Sequence, residues 1–307
     1  MIPSVADRLI GAYPVLPTPF HHDQSLDLDG LGQLIERVLA RDVRGLMLLG
    51  SQGEVTYLTE EERYRILEFA LKRVGGRALV LAGLVQFGTA AAVEQGKRYR
   101  DLGADALAVA FPQHYETPLP LVIAHYTSVV RDVGLPTLYY HFPEPTHLRL
   151  EPEQVGTLFN EVALVGIQNG ALDTEVVLAQ IREVGRPVAV FSGSSFDCLA
   201  CLDGGAAGSI CPSVALMPQS AVRLVDAHRT SNTVEAEALQ KKLVEAVPIL
   251  TPEVEEGQYV PAPHAGIKEA LVAAGVIQSA RVRDPQLGVP DDLRGAIREL
   301  ALRLVEL

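Results

Sequence analysis

Short, continuously apolar runs alternate with amphipathic stretches of helical period along most of the chain. The runs are Ala12–Thr18, Gly45–Gly50, Ala78–Leu84, Ala106–Phe111, Thr137–Phe142, Leu164–Gln168, Val188–Ser192 and Gly208–Cys211. They lack the apolar–polar alternation of half-exposed strands and read as parallel strands covered on both faces. Between them, Leu28, Leu31, Leu34, Ile35, Val38 and Leu39 form one helical stripe, and Tyr64, Leu67, Ala70, Leu71 and Val74 another. Thr59-Glu60-Glu61-Glu62 is a capping-box start for the second of these, and Gly75-Gly76 is its stop. Eight β-then-α units predict an α/β fold, a (β/α)8 TIM barrel over residues 1–217. An open doubly wound sheet would carry a strand–GxGxxG–helix fingerprint in its first unit, and none is present. Past residue 217 the strand pattern stops. Helical stretches over 219–250, 263–274 and 291–306 predict a C-terminal helical region, 218–307, packed on the barrel, with Ile297, Leu300, Ala301 and Leu304 on one face of the last.

Composition narrows the class. Of 307 residues, 48% are apolar and 21% charged, enough for a large core. Lys and Arg number 26 against 38 Asp and Glu, a net charge of −12, so nucleic acid and anionic membrane are poor partners. The opening MIPSVADRLIGAYPV has no basic stretch followed by an apolar run, and no run approaches the ~18 apolar residues of a membrane span. Three cysteines, Cys198, Cys201 and Cys211, are too few for a disulfide framework. These features predict a cytoplasmic protein. Cys198-x-x-Cys201 has no second pair and reads as two buried small side chains.

In a barrel the chemistry sits at the carboxyl ends of the strands. After the second strand comes Gly50-Ser51-Gln52-Gly53-Glu54, either a backbone cradle for a carboxylate, with Ser51 and Gln52 beside it, or a plain turn. After the fourth come Gln113-His114-Tyr115, and the fifth ends in Tyr139-Tyr140-His141-Phe142. Phenol and imidazole groups near one mouth suit proton transfer. The sixth strand ends in the neutral amides Gln168 and Asn169, and Ser192 and Ile210 mark the ends of the seventh and eighth. His114, His141 and His147 could hold a metal, but they lack a diagnostic ligand spacing.

These segments resemble the dihydrodipicolinate synthase / N-acetylneuraminate lyase family of pyruvate-type class I aldolases. Gly50–Glu54 is similar to that family's GTTGE loop, Ala82-Gly83 to its AG, Leu138–Pro143 to LYNxP and Val165–Gln168 to VGIK. Pro261–Leu271 and Val276–Pro285 are similar to its C-terminal tail, which opens on NPxPxK. The resemblance implies a (β/α)8 barrel and commonly a tetrameric assembly. It also implies a lysine at the end of the sixth strand that forms a Schiff base with a 2-keto acid, a strand-5 tyrosine that relays protons, and a carboxylate held by the GTTGE loop. Tyr140 falls at the tyrosine, and Ser51 and Gln52 replace the two threonines. Gln168 falls at the lysine.

That substitution sets the expectation for function. A Schiff base requires an amine lone pair, whereas a carboxamide nitrogen is conjugated with its carbonyl and only hydrogen-bonds. Of the other lysines, Lys72, Lys97, Lys241 and Lys242 lie in outer helical patterns, and Lys268 matches the tail lysine outside the barrel. Asn169 replaces the acidic residue usual after the lysine, Pro145 falls at the synthase-type arginine, Gln113-His114 at a tyrosine pair, and His141 at an asparagine. The expected function is a divergent lyase-like protein that binds a small 2-keto or hydroxy acid without imine chemistry. Tyr140, His141 and Gln168 would be its catalytic groups, and Ser51, Gln52, His114, Tyr115, Ser192 and Ile210 its substrate contacts. The alternatives are an inactive ligand-binding or regulatory pseudoenzyme, and a metal-assisted lyase using His114, His141 and His147. No cofactor is implied. A homo-oligomer, dimer or tetramer, is expected.

Overall fold

A computed structural model of the chain describes residues 5–170, 173–185, 187–254, 259 and 261–306; the first four residues of the opening segment lie outside them. Eight strands are present: β1 (Gly11–Pro14), β2 (Gly45–Leu48), β3 (Leu79–Val85), β4 (Ala106–Ala110), β5 (Thr137–His141), β6 (Gly166–Asn169), β7 (Ala189–Ser192) and β8 (Gly208–Cys211). All pair in parallel, in the order β1-β8-β7-β6-β5-β4-β3-β2. A bridge between Val15 and Met47 brings β1 against β2 and closes the ring. Among the described residues no helix is long and apolar enough to cross a membrane.

Side chains alternate across each strand, so every strand serves two cores. Tyr13, Met47, Leu81, Ala108, Leu138, Phe191 and Ile210 point into the barrel and fill it. Leu46, Val80, Leu107, Tyr139, Ile167 and Val190 point out and pack beneath the helices. The Glu60–Val74 helix begins with the expected capping box, Thr59 and Glu62 bonding each other's backbone, and stops at Gly75 in the left-handed conformation. Beyond β8, the stretch predicted as one helix is divided. Pro218–Arg229 and Thr233–Val244 are separated by Ser231, at φ 57, and by Asn232, whose side chain caps the second helix. The first of these packs Ala221, Leu224 and Val225 with Ala12 of β1, supplying the barrel's eighth outer helix.

One contact fixes the loop after β2. At Gly83 a Cβ would stand 2.2 Å from the Leu49 carbonyl oxygen, so β3 and this loop approach as only glycine allows. Leu49 itself has φ 58. Gly83→Ala is therefore expected to lower stability by about 1–3 kcal/mol, because backbone must move to admit the methyl group. Denaturant melts check this.

Candidate active site at the barrel mouth

The inward face of β5 and β6 carries the first two polar groups. In the parallel register Tyr140 lies opposite Gln168, and Gln168 opposite Phe191, so these side chains share the face that looks into the barrel. Gln168 Nε2 donates to the Ile210 carbonyl at 3.4 Å, a long bond. This sets the orientation of the amide and leaves Oε1 buried without a partner among the described residues. A buried acceptor left unmet costs about 1–3 kcal/mol unless a ligand or water reaches it. The Gln52 Oε1 atom is in the same condition, on the loop above.

Tyr140 Oη donates to Ser51 Oγ at 3.2 Å, which ties the mouth loop to β5. Burial pushes the Tyr140 phenol up, while the Ser51 side chain and backbone oppose that shift. The phenol is thus protonated at neutral pH and can donate to a ligand oxygen. Its ring lies parallel to that of Phe142, with centroids 5.7 Å apart.

The loop holding Ser51 and Gln52 is anchored at its far end. Glu54 is buried, with φ 56 and ψ 33, a left-handed conformation that costs a non-glycine residue about 1–2 kcal/mol. Its carboxylate accepts from Lys268 Nζ, from the Arg283 backbone N–H at 2.7 Å and from Gln286 Nε2 at 3.1 Å. On the same loop the Gly53 carbonyl accepts from Thr18 Oγ1 at 2.7 Å. Sequence alone gives Glu54 no role and sets Lys268 outside the barrel. The signal it does carry is a charged residue at the end of a glycine-bracketed loop.

Not every predicted residue reaches the mouth. His141 follows Tyr140 on the same strand and so faces outward with Tyr139, on which its ring stacks at 5.5 Å. Gln180 Nε2 donates to His141 Nδ1 at 2.6 Å, and Asn169 Nδ2 donates to Gln180 Oε1 at 2.6 Å. Burial holds the His141 imidazole down at about pKa 4, with Gln180 opposing weakly. In this position it is a neutral packing residue, not a base at the mouth. Ser192 aligns with Asn169 on that outward face and bonds the Ser194 carbonyl at 3.1 Å. The correction for both has one cause: adjacent strand residues point to opposite faces, and only one of each pair looks inward.

His114 and Tyr115 are exposed on the loop after β4, Tyr115 by 79%, with their rings edge-on at 4.6 Å. His147 is exposed beyond β5. Among the described residues no three His, Cys, Asp or Glu side chains gather as a metal site. The metal reading of His114, His141 and His147 therefore has no geometric basis.

The lysines stand elsewhere. Lys72, Lys97 and Lys241 are exposed and Lys242 is half-buried. Lys268 is fully buried, but its ammonium is spent on Glu54, on the Arg281 carbonyl at 2.8 Å and on the face of Phe20, 4.3 Å from the ring centroid. Cys198, Cys201 and Cys211 are free and buried, and burial pushes the Cys201 thiol up to about 11.

Both the sequence and the fold are similar to those of known proteins. The 4-hydroxy-tetrahydrodipicolinate synthase of Stenotrophomonas maltophilia is 37% identical over 202 residues, 66% of this chain and 65% of that protein. The same enzyme from Xanthomonas campestris pv. campestris is 32% identical over 237 residues, covering 77% and 78%. Among solved structures, YagE of E. coli K12, a prophage protein of the dihydrodipicolinic acid synthase family in complex with pyruvate, superposes with a TM-score of 0.88. It is 27% identical, and the match covers 96% of this chain and 98% of that one. A model of the dihydrodipicolinate synthetase family matches residues 8–302, and the chain accordingly belongs to that family.

Proposed function

We propose that this protein is a lyase-like family member that binds a small 2-keto or 2-hydroxy acid at the barrel mouth and does so without forming an imine. The observation that carries the reading is Gln168. It stands on the inward face of β6 beside Tyr140, where the family resemblance points to the Schiff-base lysine, and it offers an unpartnered acceptor instead of an amine. The positions of the five lysines support the same reading, since the one that is buried is engaged by Glu54. In the bound state the Tyr140 hydroxyl and Ser51 would hold the acid's carbonyl or carboxylate oxygens. Gln168 Oε1 would accept from the hydroxyl of a 2-hydroxy acid, or from a water held beside a 2-keto acid, which has no donor of its own. Ile210 contributes its backbone carbonyl and an apolar wall.

Any proton transfer at this mouth falls to Tyr140, since the neighbouring imidazole faces away. That favours a second reading, a ligand-binding protein without turnover, and the specific observation behind it is the outward, neutral His141. Turnover assays on the acids that bind separate the two. The reading further takes the protein as a cytoplasmic homo-oligomer, dimer or tetramer, working without a cofactor.

Pyruvate is the first probe. Incubation with pyruvate and borohydride is expected to leave the intact mass unchanged while pyruvate alone raises the melting temperature. A stable mass increment mapped to any lysine would overturn the non-covalent reading. Tyr140→Phe is expected to weaken pyruvate binding about 10-fold, the loss of roughly one hydrogen bond to a charged group, as read by calorimetry.

A further inference from the structure

We propose that Lys268 and Glu54 act as a positioning pair for the barrel mouth. The helix Pro263–Ala273, in the C-terminal region, would reach across the fold through one buried ion pair to set where Ser51, and with it Tyr140, stands. The inference concerns the loop itself; its consequence for ligands rests on the proposed acid-binding role of the mouth.

Both members are fully enclosed, each side chain at 0% exposure, although they are 214 residues apart in the chain. Nothing local requires a lysine inside a helix whose neighbours Ala265, Ile267, Ala270 and Leu271 are apolar core. Such a group is tolerated only where it is paired and hydrogen-bonded. Here the ammonium meets the carboxylate and the Arg281 carbonyl, and it caps the Phe20 ring. The Arg283 guanidinium stands over the same ring at 4.5 Å and also bonds Glu62 at 2.7 Å.

The carboxylate is equally committed, since it also receives the Arg283 N–H and the Gln286 amide. Its own backbone is held left-handed. A residue in that conformation persists only where its surroundings over-determine it. The loop is thus gripped at both ends, by the Gly83 approach before Gly50 and by the ion pair at Glu54. Between those grips lie the Ser51 hydroxyl, 3.2 Å from Tyr140 Oη, and Gln52, whose Oε1 has no partner among the described residues. A purely stabilising pair could sit anywhere in the core. This one holds the loop that carries the candidate ligand contacts.

The test compares Glu54→Gln, and the double variant Glu54→Gln/Lys268→Met, with Leu304→Ala. The double variant leaves no lone buried charge and so keeps a folded protein available. Leu304 lies in the C-terminal core, bonds neither Glu54 nor Lys268, and serves as a control for destabilisation alone. Hydrogen exchange of the peptide spanning 50–55 is expected to quicken at least 10-fold in both Glu54 variants relative to Leu304→Ala. Pyruvate affinity should fall by a similar factor. Exchange and affinity unchanged against the control would overturn the positioning role and leave only a stability role. If the wild-type protein binds no pyruvate, the mouth reading fails, while quickened exchange at 50–55 would still uphold the positioning pair.

Discussion

Between pH 6.5 and pH 4 the native state should lose about 6 kcal/mol of stability through two imidazoles alone. His141 and His125 are each held down by burial from 6.5 to about 4. His125 stacks on Phe111 at 3.8 Å and bonds Thr89 at 2.9 Å through Nδ1, leaving Nε2 unpartnered among the described residues. A depressed histidine refuses in the native state a proton that the unfolded chain accepts. Its contribution is therefore fully present above 6.5, declines as pH falls towards 4, and changes no further below that. At about 1.4 kcal/mol per unit, each group accounts for about 3 kcal/mol. Urea melts across this window check the slope, and His141→Asn should remove about half of it. An NMR titration placing His141 near 6.5 would contradict the assignment.

The second large effect is a gain of reactivity. Gln168→Lys should make the protein label with pyruvate under borohydride, from no adduct to near one per chain. The new side chain would lie between Tyr140 and Phe191 on the inward face of the barrel. Burial there lowers an ammonium's pKa and releases the lone pair that attacks a ketone. Peptide mapping should place the increment at position 168. An unlabelled but folded variant would mean that the mouth has diverged by more than this one residue.

Much of the fold was legible because a buried parallel strand and an amphipathic helix write different periods into the chain. All eight strands lie at the predicted places, with ends shifted by a few residues. The largest shift is at β1, which ends at Pro14 where Ala12–Thr18 was expected. Pro14 and Pro17 have no N–H to give to a ladder, so a run that reads as apolar cannot pair throughout. The break at residues 230–232 was visible as a Thr-Ser-Asn cluster, a helix-start signal that the apolar periodicity around it obscured.

The site was legible in part. Tyr140, Gln168, Ser51 and Ile210 come together as the spacing of strand ends suggested. His141 and Ser192 do not join them, because strand ends locate a residue along the barrel axis without saying which side it faces. The Glu54–Lys268 pair lay beyond sequence reasoning for another reason. Contacts between residues 214 apart leave no period or spacing to read.

The Tyr140–Phe142 stack offers an optical handle. The sequence has no tryptophan, so a Phe142→Trp substitution would introduce the protein's sole indole, lying flat against the phenol at the mouth. Its emission would report ligand binding at the mouth in real time, giving association and dissociation rates for acids that undergo no chemistry at all.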